Sequence, residues 1–397
     1  MELKACPKVY IHDTHRCRMP EDTLAFVAGM RHRLGMEDFH EISVWDRIGL
    51  PVFSCRRLRP DGSETYHTGK GISPVQAQVS LTMEAVERHC SEFKSDYSDR
   101  LVRGSWRELR GRHNLLDPRD LILPRFSEYD PEVQINWVRG YDIVNGEEIL
   151  VPACAVYHPF HEDGIVVMAT HTNGIASGNT LEEAVYHGLL EVVERDAWSI
   201  VKFARLTPPE IIPSASDRDF LHEIHRRLHQ ARVEVTLADY TSDLGIPVVA
   251  ARIIDLEQPD MMPMDGFGAH LDPMVAAGRA MMEAATTRAL LLRRFGPSRL
   301  RERPITYLEP EIYKDEEDQK PITLGDLPSH YTMDILADIE AVTDRLREAG
   351  LTRVIVVDLT VEDLGVPTAR VIVPGLEAYG FDGTRIGERL FQPRTRD

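Results

Sequence analysis

The sequence predicts a mixed α/β (α+β) fold, built from related layers of helices and strands that repeat along the chain. Two kinds of element recur within its 397 residues. One is an apolar helix that carries glutamates, and the other is a turn with Asp, Gly and Pro that leads into a strand. Repeated layers explain this recurrence most economically. The usual nucleotide-binding folds gain no support, because neither G-x-G-x-x-G nor G-x-x-x-x-G-K-[ST] occurs.

The acidic helix is clearest in residues 170–200. Thr180 can cap a helix there, and Glu183 stands three residues later, as in a capping box. At about 100° per residue, Glu183, Glu191 and Glu194 lie on one narrow face of this helix, while leucines and valines between them supply buried surface. Three like charges on one face repel each other unless cations neutralise them.

The same arrangement occurs in residues 73–93, and a weaker copy lies in residues 272–294. The first two copies share four aligned pairs: Ala77 with Ala184, Glu84 with Glu191, Glu87 with Glu194 and Arg88 with Arg195. In the third copy the corresponding places hold Ala276, Glu283 and Thr286, and Arg288 follows as the next residue but one. Three copies indicate a repeated element rather than chance.

Carboxylates in this pattern favour a metal site. A single E-x-x-E-R sequence is common on solvated helices, but two of them inside apolar helices are not. Hard oxygen ligands from facing helices suit Mg²⁺, which takes its remaining ligands from water and substrate phosphates. The pattern therefore predicts a metal-nucleotide site made of carboxylates. Glu183 retains an alternative, structural role as the capping-box partner of Thr180.

Composition excludes several classes of function. A formal net charge of −18 argues against a general binder of nucleic acid or of anionic membranes. No apolar run approaches about 18 residues and the polar amino terminus resembles no signal peptide, so we expect a cytoplasmic protein without a membrane segment. The five cysteines are scattered without C-x-x-C spacing, which predicts small buried residues rather than a zinc site or a disulfide framework.

Turn and strand signals organise the amino-terminal part of the chain. A short strand and a polar turn precede a helix that should begin at Pro20. Arg16 and Arg18 lie in the turn, where they can bind a phosphate or remain solvated, and the residues favour neither role. Lys70, between two glycines, could contact a phosphate, although such a segment is more often only a turn.

Three stretches combine Asp, Gly and Pro ahead of an apolar strand. They are residues 45–58, 242–256 and 362–376. Proline is tolerated at strand entry, so each stretch predicts a turn that feeds a strand. Residues 97–170 predict a helix-poor region, in which Asn145-Gly146 between alternating apolar residues signals a hairpin.

The remaining signals complete the predicted organisation. They are an amphipathic helix at 219–231, an exposed and mobile acidic insertion near 300–333, a helix at 337–349 and a strand at 353–359. We expect one domain with three subregions: an amino-terminal α/β lobe (1–95), a strand-rich insertion (96–170) and a core α/β lobe (171–397).

The order of the motifs resembles the YcaO family of ATP-dependent enzymes, which modify peptide backbone amides. GKG is followed by S-x-x-x-E-x-x-E-R, then TNGIASGNT leads to E-x-x-E-R-D, and E-A-x-x-T-R comes last. The resemblance spans essentially the whole chain. It implies a YcaO-type fold with an ATP site between acidic helices, and ATP and Mg²⁺ as cofactors.

The resemblance also implies site residues. Carboxylates that hold Mg²⁺ ions on the ATP phosphates would be Glu84, Glu87, Glu183, Glu191 and Glu194. Nucleotide contacts would be Arg16, Thr23, Ser80, Asn179, Glu182, Arg195 and Arg288. Position 182 is Glu where the family member has Gln. Arg195 and Arg288 would be the catalytic residues, because they neutralise charge during phosphoryl transfer.

Three functions are compatible with the resemblance. A nucleophile adds to a backbone amide carbonyl, and the resulting oxyanion takes the γ-phosphoryl group of ATP. We favour thioamide formation with sulfide, for which a glycine of the α subunit of methyl-coenzyme M reductase in methanogens is the candidate substrate. The alternatives are azoline or amidine formation on a peptide natural product, and an accessory Mg-ATP-binding protein. The tail FQPRTRD, with one proline, weakens the azoline alternative.

Expected partners follow from the same resemblance. They are a peptide or protein substrate, a sulfide donor, a TfuA-type protein and a second copy of the chain in a homodimer. We expect no nucleic-acid or membrane partner.

Overall fold

The chain divides into two compact units in a computed structural model that describes residues 1–59, 61–302 and 320–392. Unit 1 comprises Met1–Pro7, Val86–Ala204 and Thr332–Asp397, and unit 2 comprises Lys8–Ala85 and Arg205–Tyr331. Each unit is assembled from separated stretches, which differs from the consecutive subregions expected from the sequence. Half of the expected 300–333 insertion, residues 303–319, lies outside the described residues.

The described residues form seven α-helices and fifteen strands. The helices are α1 (Pro20–Val27), α2 (Pro74–Ser91), α3 (Trp106–Leu109), α4 (Leu181–Ala204), α5 (Asp219–Gln230), α6 (Pro273–Glu302) and α7 (Ile335–Glu348). The strands are β1 (Tyr10–Ile11), β2 (His15–Arg16), β3 (Met36–Glu41), β4 (Val52–Leu58), β5 (Glu64–Lys70), β6 (Val102–Gly104), β7 (Ile135–Asp142), β8 (Glu147–Pro152), β9 (Ile175–Ser177), β10 (Glu210–Ile211), β11 (Val233–Asp239), β12 (Val248–Asp255), β13 (Met264–Ala269), β14 (Ile355–Asp358) and β15 (Thr368–Ile372). Within this part of the chain, no helix is both long and apolar enough to cross a bilayer.

Unit 1 is organised around an antiparallel sheet of six strands. The strand order is β6, β7, β14, β15 and β9, and β8 pairs with β7 as well. Strands that are far apart in sequence meet here, as in the register of Thr368 with Ser177. Helix α4 packs against β9, β15 and α7. The segment that leads into α4 is therefore held by a strand from the far end of the chain.

Unit 2 contains two antiparallel sheets, β3-β4-β5 and β10-β11-β12-β13, and the small β1-β2 pair. Helix α6 packs against β12, β13 and β5, and α5 packs against β11 and α6. The amphipathic pattern of α5 is confirmed: Phe220, Leu221, Ile224 and Leu228 are buried, while charged residues occupy its other face. Together with the alanines and methionines of α6, these side chains form one apolar core.

The structure confirms the predictions that concern the fold class and the starts and turns of individual elements. The mixed α/β class is confirmed, α1 begins at Pro20, and α4 begins one residue after Thr180. The β7-β8 hairpin turns at Asn145-Gly146, where Gly146 has the positive φ (69°) that favours glycine. Strands β4, β12 and β15 follow the three predicted turns. Four of the five cysteines are buried, Cys17 is partly exposed, and none is joined in a disulfide.

The repeated helices pack against strands through the same kind of backbone contact. A Cβ atom added to Gly69 in β5 would lie 2.1 Å from the Leu81 nitrogen and 2.3 Å from the Ala77 oxygen of α2. A Cβ atom on Gly268 in β13 would lie 2.3 Å from the Ala276 oxygen of α6. Because Ala77 and Ala276 are aligned positions of the repeat, a glycine and an alanine let strand and helix backbones touch at equivalent points.

Replacing Gly69 with Ala should destabilise the protein, since the new methyl group would meet helix backbone that cannot move aside. We expect a loss of about 1 to 3 kcal/mol in the free energy of unfolding, measured by chemical denaturation. Gly29→Ala is the matched control, because nothing lies within 4 Å of a Cβ atom there. Equal stability of the two variants would contradict the close packing.

Candidate functional site

The segment that leads into α4 lies in the TNGIASGNT motif and is held by strand β15. We call residues 173–179 the anchor segment. Its strand, β9, pairs with β15, and Gly174 has a φ of 85°. A Cβ atom on Gly174 would lie 2.3 Å from the Val371 oxygen, so glycine is required by both the turn and the close approach.

Thr180 caps α4 as expected, while Glu183 binds a different neighbour. The Glu183 N–H donates to Thr180 Oγ1 at 3.2 Å. The Glu183 carboxylate accepts from both the backbone N–H and the side-chain amide of Asn179, each at 2.8 Å. The reciprocal contact of the predicted capping box is therefore displaced by one residue. Glu183 is almost fully buried, so this pair rigidly joins the anchor segment to the helix.

Two further predicted carboxylates bind the same segment. Glu87 Oε1 accepts from the backbone N–H and the hydroxyl of Ser177, both at 3.0 Å. Glu191 Oε2 accepts from the Gly174 N–H at 3.3 Å. Glu87, Glu183 and Glu191 thus converge on one short stretch of backbone, which unites glutamates from both acidic repeats.

Arg195 lies among carboxylates on α4. Its Nη2 atom is 3.3 Å from Glu194 Oε1 and 3.9 Å from Glu191 Oε1, and its guanidinium lies over the ring of Trp198. Glu194 is buried and Arg195 is partly exposed. Glu191, Glu194 and Arg195 therefore lie close together on α4, and the helical spacing predicts this for the two glutamates.

Glu182 has a contact that the sequence did not indicate. Its Oε1 atom accepts from the Lys4 N–H at 2.8 Å, which ties the amino-terminal segment of unit 1 to α4. A polar contact of Glu182 with a nucleotide stays a prediction.

Unit 2 positions the remaining predicted residues. Glu84 Oε1 lies 3.8 Å from His67 Nδ1 on the neighbouring strand, and Lys70 Nζ lies 3.0 Å from Glu283 Oε2 on the third acidic helix. Lys70, the last residue of β5, thus has a carboxylate partner within unit 2. It is therefore part of the folded structure and not of a solvated turn.

For three residues that are predicted to contact a nucleotide, the structure shows only local hydrogen bonds or partial burial. Thr23 Oγ1 donates to the Met19 carbonyl at 3.2 Å within α1, and Arg16 Nη1 donates to the His15 carbonyl at 2.8 Å. Ser80 is half-buried on α2. Their roles toward a nucleotide remain predictions.

Arg288 is enclosed by the core of unit 2. Only 1% of it is exposed. Its Nε atom lies 3.1 Å from Asp46, and its Nη2 atom lies 2.8 Å from Asp255. Burial favours a raised pKa for the Asp255 carboxyl, but hydrogen bonds from Arg47 and the charge of Arg288 outweigh it and hold that pKa below its usual value. These contacts give Arg288 a structural role in unit 2, and its contact with a nucleotide stays a prediction.

The donor chemistry of the glutamates fits Mg²⁺, because all are hard carboxylate oxygens on rigid helices. Their present spacing is wider than a metal requires. Among the described residues, no three His, Cys, Asp or Glu side chains lie close enough together to hold an ion. An ion would therefore bind by drawing oxygens such as those of Glu191 from the backbone N–H groups that they now accept.

Comparison with known proteins gives consistent matches over the whole chain. The family described as "YcaO cyclodehydratase, ATP- and Mg²⁺-binding" matches residues 68–377. An uncharacterized protein of Methanothermobacter thermautotrophicus is 38% identical over 389 residues, covering 94% of this chain and 97% of that protein. A protein of Rhizobium leguminosarum bv. trifolii, described as lying in the tfuA 3' region, is 28% identical over 385 residues, covering 92% and 90%.

A solved structure shares the fold at full length. YcaO from Methanopyrus kandleri, bound with AMPPCP and Mg²⁺, matches with a TM-score of 0.78 and 33% identity. The match covers 99% of this chain and 100% of that one. It confirms the expected fold and agrees with the cofactors expected from the sequence.

Replacing Arg288 with Leu should strongly destabilise the protein, because two buried aspartates would lose their shared cation. We expect a loss of about 3 to 5 kcal/mol in the free energy of unfolding. The control is Arg226→Leu, which removes an exposed arginine paired only on the surface of α5. A stable Arg288→Leu protein that no longer binds MgATP would instead establish a direct nucleotide contact.

Proposed function

This chain belongs to the YcaO family, and from that premise we propose that it converts a backbone amide of a peptide or protein into a thioamide, with sulfide as the nucleophile. The family modifies peptide backbones and depends on ATP and Mg²⁺, and this chain shares that general activity. The candidate substrate is a glycine of the α subunit of methyl-coenzyme M reductase. A TfuA-type protein is the proposed partner, and a homodimer the proposed assembly.

Two similarities support the assignment to archaeal, TfuA-associated members of the family. The Methanothermobacter and Methanopyrus relatives match this chain over almost its full length at 38% and 33% identity. The Rhizobium relative is named for a tfuA region, which supports a TfuA-type partner. Both features agree with the substrate and partner proposed from the sequence.

The contacts of the anchor segment with glutamates are the main structural observation that supports the proposal. Backbone N–H groups at Gly174, Ser177 and Asn179 each bind a glutamate that the sequence assigns to Mg²⁺. These hydrogen bonds gather the carboxylates along one short stretch of chain, from which a cation would draw their oxygens. Catalysis of phosphoryl transfer consists mainly of positioning and charge neutralisation. Glu191 and Glu194 would hold Mg²⁺, and Arg195 beside them would neutralise phosphate charge.

The reaction balances without a redox partner. One backbone amide, one hydrosulfide and one ATP give one thioamide, one ADP and one phosphate. A carbon-sulfur bond forms and the carbonyl carbon-oxygen bond breaks, and the amide oxygen leaves as part of the phosphate together with the proton of hydrosulfide. MgATP supplies the phosphoryl group that turns this oxygen into a leaving group.

Replacing Glu191 with Gln should abolish turnover while leaving the fold intact. The amide can still accept from Gly174 but is a much weaker ligand for Mg²⁺, whose charge stabilisation is worth several kcal/mol, so we expect a loss of about 10²-fold or more in kcat. The readout is phosphate release from MgATP with peptide and sulfide. Glu340→Gln, at an exposed position of α7, is the control. Normal turnover by Glu191→Gln would refute the metal assignment.

Intact-mass analysis tests the reaction class. A glycine-containing peptide from methyl-coenzyme M reductase is incubated with the protein, MgATP and sulfide, with and without a TfuA-type protein. We expect a mass gain equal to the difference between sulfur and oxygen, dependent on both ATP and sulfide. Loss of one water from a Cys- or Ser-containing peptide would establish cyclodehydration instead. An unchanged mass under all these conditions would favour an accessory role.

A further inference from the structure

A small cavity lies in unit 1 beside β15 and the turn that follows it. Its volume is about 50 Å³. Its polar lining comes from His171, Asn173, Arg370, Glu377 and Arg385, and its apolar walls include Val192. By the usual measure a cavity of this size holds a few water molecules or a small ion. None of its polar side chains belongs to the predicted metal or nucleotide site.

Two buried arginines give the cavity its charge. Arg370 and Arg385 are 3% and 5% exposed. Burial lowers the pKa of Arg370 to about 9 and that of Arg385 to about 10. Neither guanidinium forms an ion pair with a carboxylate among the described residues. Buried charges are normally paired, so two such cations around one cavity favour a negatively charged ligand.

Neutral groups of the chain hold the guanidiniums. Arg385 donates to the backbone carbonyls of Leu121 and Ile122, and Arg370 donates to the carbonyl of His171 at 2.8 Å. These bonds orient both side chains toward fixed positions. They do not neutralise the positive charge, because a carbonyl carries only a partial negative charge. Carboxylates offset it only from a distance, Glu191 for Arg370 and Asp382 and Glu377 for Arg385.

His171 lies between the two arginines and cannot satisfy both. Its Nδ1 is 3.3 Å from Arg370 Nη2, and its Nε2 is 3.2 Å from Arg385 Nη1. Burial, and then the two arginines, lower the pKa of His171 well below its ordinary value, so the ring is neutral. A neutral imidazole has only one nitrogen that accepts. One guanidinium donor therefore faces a ring nitrogen that also carries a proton.

Further polar atoms of the lining have no hydrogen-bond partner in the described chain. Arg370 Nε is a buried donor without an acceptor. Asn173 Oδ1 and Glu377 Oε1 are buried acceptors without a donor. Burial and then the nearby Asp196, opposed by backbone hydrogen bonds, raise the pKa of Glu377. A ligand that has both a negative charge and a proton would donate to these acceptors while its charge lies near the arginines.

The cavity adjoins the proposed catalytic residues. Asn173 precedes Gly174, whose N–H binds Glu191, and Val192 follows Glu191 on α4. The charge of Glu191 acts on Arg370 strongly enough to oppose the effect of burial on its pKa. A ligand in the cavity would thus lie against the anchor segment and the base of the acidic face.

We propose that this cavity binds a small inorganic anion, namely hydrosulfide, and that it holds the nucleophile for the proposed thioamide reaction. The assignment of hydrosulfide rests on that proposed function. A cavity with two cations on one side and apolar walls elsewhere suits a small, weakly hydrated monoanion that retains one proton. Inorganic phosphate carries oxygens in all directions, and those that face the apolar walls would be costly to bury.

Calorimetric titration of the full-length protein with sodium hydrosulfide, under anaerobic conditions and without nucleotide or peptide, tests the site. We expect saturable binding to the wild type and about tenfold weaker binding to Arg385→Gln, because one charged hydrogen-bond donor is lost. Arg353→Gln, which removes a partly exposed arginine of the same unit, should bind normally. Ala155→Val, which fills the cavity without changing charge, should also weaken binding.

The outcomes of these experiments test the hydrosulfide site and the proposed thioamide reaction separately. Absence of hydrosulfide binding to the wild type, or binding of inorganic phosphate in its place, would overturn the hydrosulfide site even if thioamide forms. Equal binding by the wild type, Arg385→Gln and Ala155→Val would also overturn it. Hydrosulfide binding that the two variants weaken, without thioamide formation, would support the cavity and refute the proposed function. If both hold, Arg385→Gln should raise the KM for sulfide while leaving the KM for MgATP unchanged.

Discussion

Backbone N–H groups of the anchor segment determine where three of the predicted metal-binding carboxylates lie. Three glutamates, Glu87, Glu183 and Glu191, accept hydrogen bonds from this one stretch of chain. Such bonds to charged acceptors are stronger than neutral ones and orient the carboxylate as well as stabilise it. The segment can serve as this support only because β15 pairs with β9 and Gly174 fits directly against Val371. The geometry of the acidic face therefore depends on a sheet contact between strands that lie far apart in sequence.

Four arginines of this fold have different surroundings, although their side chains are chemically the same. Arg195 lies beside two glutamates and remains partly exposed, so it can meet a ligand. Arg288 is enclosed with two aspartates and stabilises unit 2. Arg370 and Arg385 are buried beside a neutral histidine, and no carboxylate in the described part of the chain is bonded to them. Their chemical roles follow from these partners and not from the residue type.

The repeated layers share a backbone arrangement while their chemistry has diverged. Gly69 and Gly268 let a strand touch a helix at aligned alanines, which is a packing requirement independent of function. On the outer faces of the same helices the residues differ. Glu84 lies near His67, whereas its counterpart Glu283 binds Lys70. A common scaffold thus carries an acidic face in two copies and an ion pair in the third, as expected when function resides in sites placed on a fold.

The sequence by itself determined the features that depend on neighbouring residues. The start of α4 after Thr180, the hairpin at Asn145-Gly146 and the shared face of Glu191 and Glu194 follow from caps, turn chemistry and helical period, which act over a few residues. Only the tertiary structure decided that Arg288 is buried and that His171 lies between Arg370 and Arg385. Burial and long-range pairing depend on which distant strands meet, and no local pattern in a single sequence records that choice.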